Sequence, residues 1–565
     1  MQRMFRRMAL VGLLLALILG VAPQAPAQTS RRPVVLGFIA EPDVLNPLAT
    51  NTISAAVANR TFLDPLVEYD LALQLRPVMV DSIPSLENGL WKLLPGGKME
   101  LTWRLRPEYK WQDGRPVTSA DVAFTHEAAT NPKVPVGQYL CGVKDFIEKV
   151  STPDARTFVV TWKSRYAFAA ECPVEGARYG IVPKHIFEDA YRRNPESVKD
   201  VAYGQDPAVT IGNGAYRFVR RVRGSEIVVE ANPTYWRGKP QIDQIVFRYF
   251  PDANTIIANM LAGSVHVAVP QPAGINFGQA LQLDELVQRG EARDVRVGFR
   301  PVAIHEVLWL NQANPIFRDR RVRQALAHAT NREEISEALF RGRQPAAHLF
   351  LPPSNSMVEK DVRQYPYDQA RARSLLGEAG WRPGPDGIMV NQGQRLQLVI
   401  TTNSGNRDRE RIQQILTQQW RDVGIELLIE NFPARLVFGE LLEKRQYKAI
   451  LLASHPLQPV QNVVQFYSSR ERAEVGTLGR NASGWSSPQT DALLDQFVQE
   501  ADRAKRKAIL SQFQKIWAEE LPVLPLYFWV SGWAYNVNLQ GFEPTGVALY
   551  PSPVTWNARL WRWRQ

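Results

Sequence analysis

Residues 101–124, LTWRLRPEYKWQDGRPVTSADVAF, read as three consecutive pieces of structure. Leu101, Trp103 and Leu105 recur at a period of two, which predicts a strand with one apolar face. Asp113-Gly114 follows as turn chemistry. Pro116-Val117-Thr118 then leads to Asp121, a hydroxyl cap followed three residues later by an acid, so a helix is predicted to start between Thr118 and Asp121. Strand, turn and capped helix in that order are common. The pair Trp103 and Trp111, the Asp-Gly turn and the Pro-Val-Thr approach to Asp121-Val122 make this stretch far more specific.

Outward from this stretch, the N-terminus sets the compartment. Arg3, Arg6 and Arg7 precede an apolar run from Met8 to Val21, and Ala25-Pro26-Ala27 offers small residues before Gln28. That is the layout of a secretory signal, with cleavage after residue 27. The apolar run is shorter than the roughly 20 residues a spanning helix needs and is followed by Pro23 and Pro26. No cysteine lies near the cleavage point, so no lipid attachment is expected, and residues 28–565 are predicted to be a soluble periplasmic chain. That length predicts two or three domains. The two cysteines, Cys141 and Cys172, are compatible with free thiols, but an oxidising compartment predicts a disulfide between them.

The formal charge of +11 includes the three arginines of the signal. Basic residues are scattered among acids, which argues against a nucleic-acid partner. The densest cluster, Arg318 to Arg323, opens an amphipathic helix and reads as a solvated face.

Further motifs run the length of the chain. Val34 to Ile39 is a predicted strand, followed by the Pro- and Asx-rich turn Glu41-Pro-Asp-Val-Leu-Asn-Pro47. Gly212-Asn-Gly-Ala-Tyr216 lacks the third glycine of a dinucleotide fingerprint, which Arg217 replaces, so its glycines are read as turn residues. Helices are predicted over Asp319–Thr330 and Asn331–Phe340, the second opened by an Asn331/Glu334 capping box. Others follow Asp368, stopping at Gly380, and run through Ile412, Leu416 and Trp420, stopping at Gly424 before a strand to Ile429. Ser487-Pro488 caps another, and Leu521 to Tyr527 is a short apolar strand. Strands alternating with capped helices predict α/β lobes.

The 101–124 stretch, the Glu41–Pro47 turn, Gly212–Tyr216, the segment Asn232–Pro240 and the later blocks, in this order, resemble the oligopeptide-type solute-binding proteins of ABC importers (solute-binding protein family 5). The resemblance covers the whole mature chain. It implies an α/β, two-lobed periplasmic-binding-protein fold of type II, with an extra subdomain inserted in the first lobe and two hinge crossings between lobes. Carried over, lobe I is residues 28–75, 185–303 and 522–565, the inserted subdomain is 76–184, and lobe II is 304–521. The hinge falls near Arg300–Glu306 and Glu519–Pro525. The implied function is capture of a peptide or peptide-like solute and its delivery to a permease in the inner membrane, by a monomer.

Enzymatic readings find little purchase. His126-Glu127 opens like a zinc-protease helix, but Thr130 stands where the second histidine must be. No two of the seven histidines are spaced as metal ligands, and the chain has no GxSxG elbow, P-loop or CxxC. No metal, cofactor or catalytic residue is predicted.

Substrate class hinges on Lys448–Ser469, KAILLASHPLQPVQNVVQFYSS, which contains no acid. Peptide-binding relatives carry there an aspartate that pairs with the ligand's ammonium; here His455 and Gln458 take its place, with Pro459 and Asn462 following. An enclosed ammonium needs a charged partner, so a carboxylate from elsewhere, such as Glu41 or Glu306, is required for peptides. Otherwise an oligosaccharide, opine-like or anionic solute fits the neutral loop, and a periplasmic hydrolase or chaperone-like protein on the same fold is the third reading. The candidate ligand contacts are Thr50, Asn51, Tyr139, Asn311, Asn403, Ser404, His455, Gln458, Asn462, Tyr527 and the two tryptophans near the inferred crossings, Trp309 and Trp529.

Overall fold

The computed structural model describes residues 32–50, 52–70, 74–136, 141–442, 444–454, 463–471, 480–544 and 554–564. The 101–124 stretch folds as its pattern dictates. In strand Met99–Arg104 the apolar residues Met99, Leu101 and Trp103 are fully buried. It pairs antiparallel with Thr157–Trp162, placing Trp103 opposite Phe158 with their rings stacked at 6.0 Å. Gly114, at φ +92°, makes the turn, a backbone region that only glycine enters freely. The helix Ser119–Thr130 follows, and the Asp121 carboxylate accepts the Thr118 backbone N–H at 2.8 Å. The other oxygen of Asp121 accepts from Lys184 N, tying this helix to the next one, Lys184–Arg193. Trp91–Leu93 and Ile147–Ser151 complete a four-stranded antiparallel sheet. Cys141 and Cys172 are joined in a disulfide with their Cα atoms 6.1 Å apart.

The main sheet has ten strands. Two of them are long: Val295–Leu310 and Val523–Asn536 run antiparallel through its middle. On one side lie Val267–Ala268, Val34–Phe38, Gln244–Tyr249, Glu226–Ala231 and Tyr216–Val222; on the other lie Ala449–Ser454, Gln397–Thr401 and Glu426–Ile429. The pairing of the two long strands slips between Pro301 and His305 and again between Glu306 and Val307. The second long strand exceeds its expected end at Tyr527 by nine residues. The strand continues through Ser531-Gly532, where the helix Phe277–Gln288 packs directly on it and a Cβ at 532 would stand 2.5 Å from that of Ala280.

Three local readings are refined by tertiary contacts. Gly212 and Gly214 are not turn glycines with positive φ. They are small because the chain passes against Phe62, whose carbonyl oxygen would lie 2.0 Å from a Cβ at 212 and accepts the Gly214 N–H. At Asn331 only half of the capping box forms: its side chain accepts from Glu334 N, while Glu334 instead accepts from Gln419, whose own carbonyl takes the Asn331 N–H. Within the basic cluster Arg320 and Arg321 are half in water, but Arg323 is 1% exposed. Its guanidinium donates to the carbonyls of Glu520 and Leu521, so it serves the orphan acceptors at the C-terminus of helix Arg503–Glu520. Among the described residues no helix is long and apolar enough to cross a membrane, and no cluster of His, Cys, Asp or Glu is placed to hold a metal ion.

Candidate functional site

A cavity of about 830 Å³ opens beside the two long strands. Its floor is theirs: Val302, Ile304 and Glu306 from the first, Tyr527, Trp529 and Val530 to Trp533 from the second. One wall comes from Ile53, the Pro270–Ile275 segment and the first turn of helix Phe277–Gln288. Asn276 and Gln279 cap that helix reciprocally, at 2.8 and 3.0 Å, which fixes Phe277, Gly278 and Gln279 against the cavity. Ile53 is the first residue of helix Ile53–Phe62, whose cap Thr52 shares with Thr50 the Asp43 carboxylate, each at 3.0 Å. The opposite wall is the loop Asn403 to Asn406 and the opening turn of helix Arg407–Arg421, joined by Phe340 and Gln344.

The charge at the floor is paired. Glu306 is 1% exposed and receives Arg409 Nε at 2.7 Å and the Trp529 indole N–H at 3.1 Å. Arg409 also donates to the Asn403 side-chain oxygen at 2.6 Å, so one guanidinium ties the first long strand to the loop at the opposite wall. Tyr527, packed on Phe340 at 4.9 Å, has its phenol pushed well up by burial and then by the Glu306 charge. Asp408 is open to the cavity water but walled by protein, and the desolvation raises its carboxyl above the usual range against the pull of Arg411 and Arg409. Arg407 adds an exposed positive charge, and the rest of the described lining is apolar or neutral, including Phe277, Trp533, Gln271, Gln282 and Ser531. Such walls offer contact area and orienting hydrogen bonds to an enclosed solute.

Of the residues singled out from sequence, Asn403, Ser404, Tyr527 and Trp529 come together here. Trp309 does not: it is 3% exposed, stacks on Phe466 and packs at a tilt against Tyr467 in the core. Asn311 is spent on structure, donating to the carbonyls of Arg445 and Tyr447. Thr50 is buried behind the wall, holding the turn that leads to Ile53. Asn51, Tyr139, His455, Gln458 and Asn462 lie outside the described residues. Neither carboxylate named as a substitute anchor is free, since Glu306 is held by Arg409 and Glu41 by Arg221 and Gly224 N. Sequence reasoning passed over Asp408, Gln344 and the residues around Asn276. The Asn276/Gln279 box was a legible helix start, but nothing local marks which helix starts face a cavity.

The family model for bacterial extracellular solute-binding proteins, family 5 Middle, matches residues 84–474. The oligopeptide-binding protein AppA of Bacillus subtilis is 24% identical over 536 residues, covering 94% of this chain and 91% of that protein. Its structure with a nonapeptide superposes with a TM-score of 0.70 at 21% identity, over 94% of this chain and 99% of the other. The oligopeptide-binding protein of Thermus thermophilus, solved with a pentapeptide, is 27% identical with a TM-score of 0.69, over 94% and 96%. NikA of Brucella suis, solved with Fe(III)-EDTA, has a TM-score of 0.76 at 18% identity, over 94% and 100%. These proteins share the α/β, type II periplasmic-binding-protein fold with this chain. With the family's model running from before the four-stranded sheet to beyond the Val463–Tyr467 helix, the chain belongs to the bacterial extracellular solute-binding proteins of family 5.

Proposed function

We propose that this protein is the periplasmic receptor of an ABC importer, enclosing a peptide or peptide-like solute in the cavity at the two long strands and handing it to the inner-membrane permease as a monomer. The observation that carries this reading is the origin of the cavity walls, which come from both sides of the long-strand pair, so that closure of one side on the other buries the contents. The lobes are residues 28–75, 185–303 and 522–565 on one side, with 76–184 as the inserted subdomain, and 304–521 on the other. The hinge lies near 300–306 and 519–525; one slip in strand pairing falls inside the first range and the other, between Glu306 and Val307, at its edge. Relatives named for oligopeptides, one of them solved with a pentapeptide at 27% identity, support the solute class.

A second reading, an oligosaccharide, opine-like or anionic solute, is favoured by the absence of acid from residues 448–469 and by Arg407 in the cavity lining. Native mass spectrometry on gently purified residues 28–565, with the released molecule identified after denaturation, separates the two. A co-purified peptide supports the first; a sugar or an anionic solute without an amine overturns it in favour of the second.

A further inference from the structure

Among the described residues, four charged side chains line the cavity: Glu306, Arg407, Asp408 and Arg409. Two of them satisfy each other, since Arg409 Nε sits 2.7 Å from Glu306 and the second Glu306 oxygen takes the Trp529 N–H at 3.1 Å. Asp408 is left. It faces the cavity from the first turn of helix Arg407–Arg421 and makes no hydrogen bond or ion pair with any described residue. The cations that act on it are Arg411 and Arg409, the latter already engaged by Glu306.

A carboxylate in that position is held ready. The helix N-terminus favours its negative charge, while the surrounding protein removes part of its water and raises the value of an incoming cation. The same cavity includes the neutral Gln344, 4% exposed, whose Oε1 has no hydrogen-bond partner among the described residues. A protonated amine brings three donors and one positive charge, matching one carboxylate and neutral acceptors. Residues 448–469, in which the resemblance leads one to look for an acid, contain none.

Resting on the reading that the cavity holds a peptide-like solute, we propose that Asp408 is the anchor for its α-ammonium group, supplied by a helix N-terminus instead of by the 448–469 segment. Among the described residues Arg407 leaves one unpaired positive charge in the lining beside the one unpaired negative charge of Asp408. The cavity therefore suits a zwitterion better than a polyamine.

The test uses residues 28–565 and a set of tri- to pentapeptides, each made with a free and an N-acetylated amino terminus, titrated by calorimetry. The wild type binds the free form at least tenfold more tightly than the acetylated one. D408N weakens the free form by that factor and leaves the acetylated form alone, closing the gap to within twofold, whereas D408E retains it. D408N melts close to the wild type, because the Asp408 side chain has no hydrogen bond or ion pair with any described residue to lose. Equal affinity for both forms in the wild type, or a gap that survives in D408N, overturns the anchor while leaving a peptide receptor in place. Saturable binding of none of the peptides overturns both readings.

Discussion

Glu306 and Arg409 meet at 2.7 Å beneath the cavity, one from a long strand of the main sheet and the other from the helix that opens at its wall, with the carboxylate 1% exposed. A pair this deep is costly to separate, because the survivor keeps a charge with little water around it. E306Q is expected to destabilise the protein by about 3 kcal/mol, read from urea unfolding. The double variant E306L/R409M removes both charges and recovers most of that loss. A double variant as unstable as the sum of its parts would show that the charges act independently.

Trp529 joins this pair to the cavity, donating to Glu306 while remaining only partly buried. A large aromatic wall of this kind carries a disproportionate share of contact energy. On the proposed function, W529L weakens solute binding about tenfold and, by stripping the buried Glu306 of one donor, also lowers the melting midpoint of the unliganded protein. Titration calorimetry and thermal melting on the same sample read the two effects separately.

His266 sets an acid limit to stability. Its Nδ1 accepts the Val35 backbone N–H at 2.9 Å, so the neutral ring is the one the fold uses. Burial first, then the charges of Arg32 and Arg248, push its pKa from the ordinary 6.5 to about 4. The unfolded chain therefore binds a proton that the folded chain refuses between those two values. The stabilisation is complete above pH 6.5 and is lost as the pH falls towards 4, up to about 3 kcal/mol. His348, also pushed to about 4 by burial, adds to the same window. H266Q should thus flatten, but not abolish, the fall in stability measured by denaturant unfolding between pH 7 and 4.

The Cys141–Cys172 disulfide closes a loop spanning 31 residues. Beside it, the Glu175 carboxylate accepts three consecutive backbone N–H groups, those of Gly142, Val143 and Lys144, at 2.6 to 3.0 Å. Loop-closure entropy alone predicts a loss of about 3 to 4 kcal/mol for C141S/C172S. The Glu175 contacts hold the same segment in the folded state, so the variant still folds. Urea midpoints with and without reductant check both statements: wild type under reductant should fall to the midpoint of the double variant.

Much of the architecture was legible in the linear chain because its signals are local. Thr118 with Asp121, Ser487 with Pro488 and Asp368 before its helix all mark real helix starts, since a capping bond spans two or three residues. The alternation through Met99–Arg104 held for the same reason: one face of a strand is buried or it is not. The errors have a common cause. Trp309 lies close to one of the predicted crossings, but its side chain turns to Phe466 and Tyr467, more than 150 residues on. Arg323 looked solvated until helix Arg503–Glu520 ended against it.

Periodicity, caps and motif order are properties of short windows, and from them the amino-acid chain alone specified its elements, its α/β class and the family it resembles. Which charges remain available to a solute was settled only in three dimensions. Glu306 is neutralised by an arginine 103 positions away, and Asp408 is left open by the same contact. No window on the chain contains both halves of that arrangement, because a buried charge is defined by what folds over it, and the groups that do so here come from strands and helices far apart in the chain.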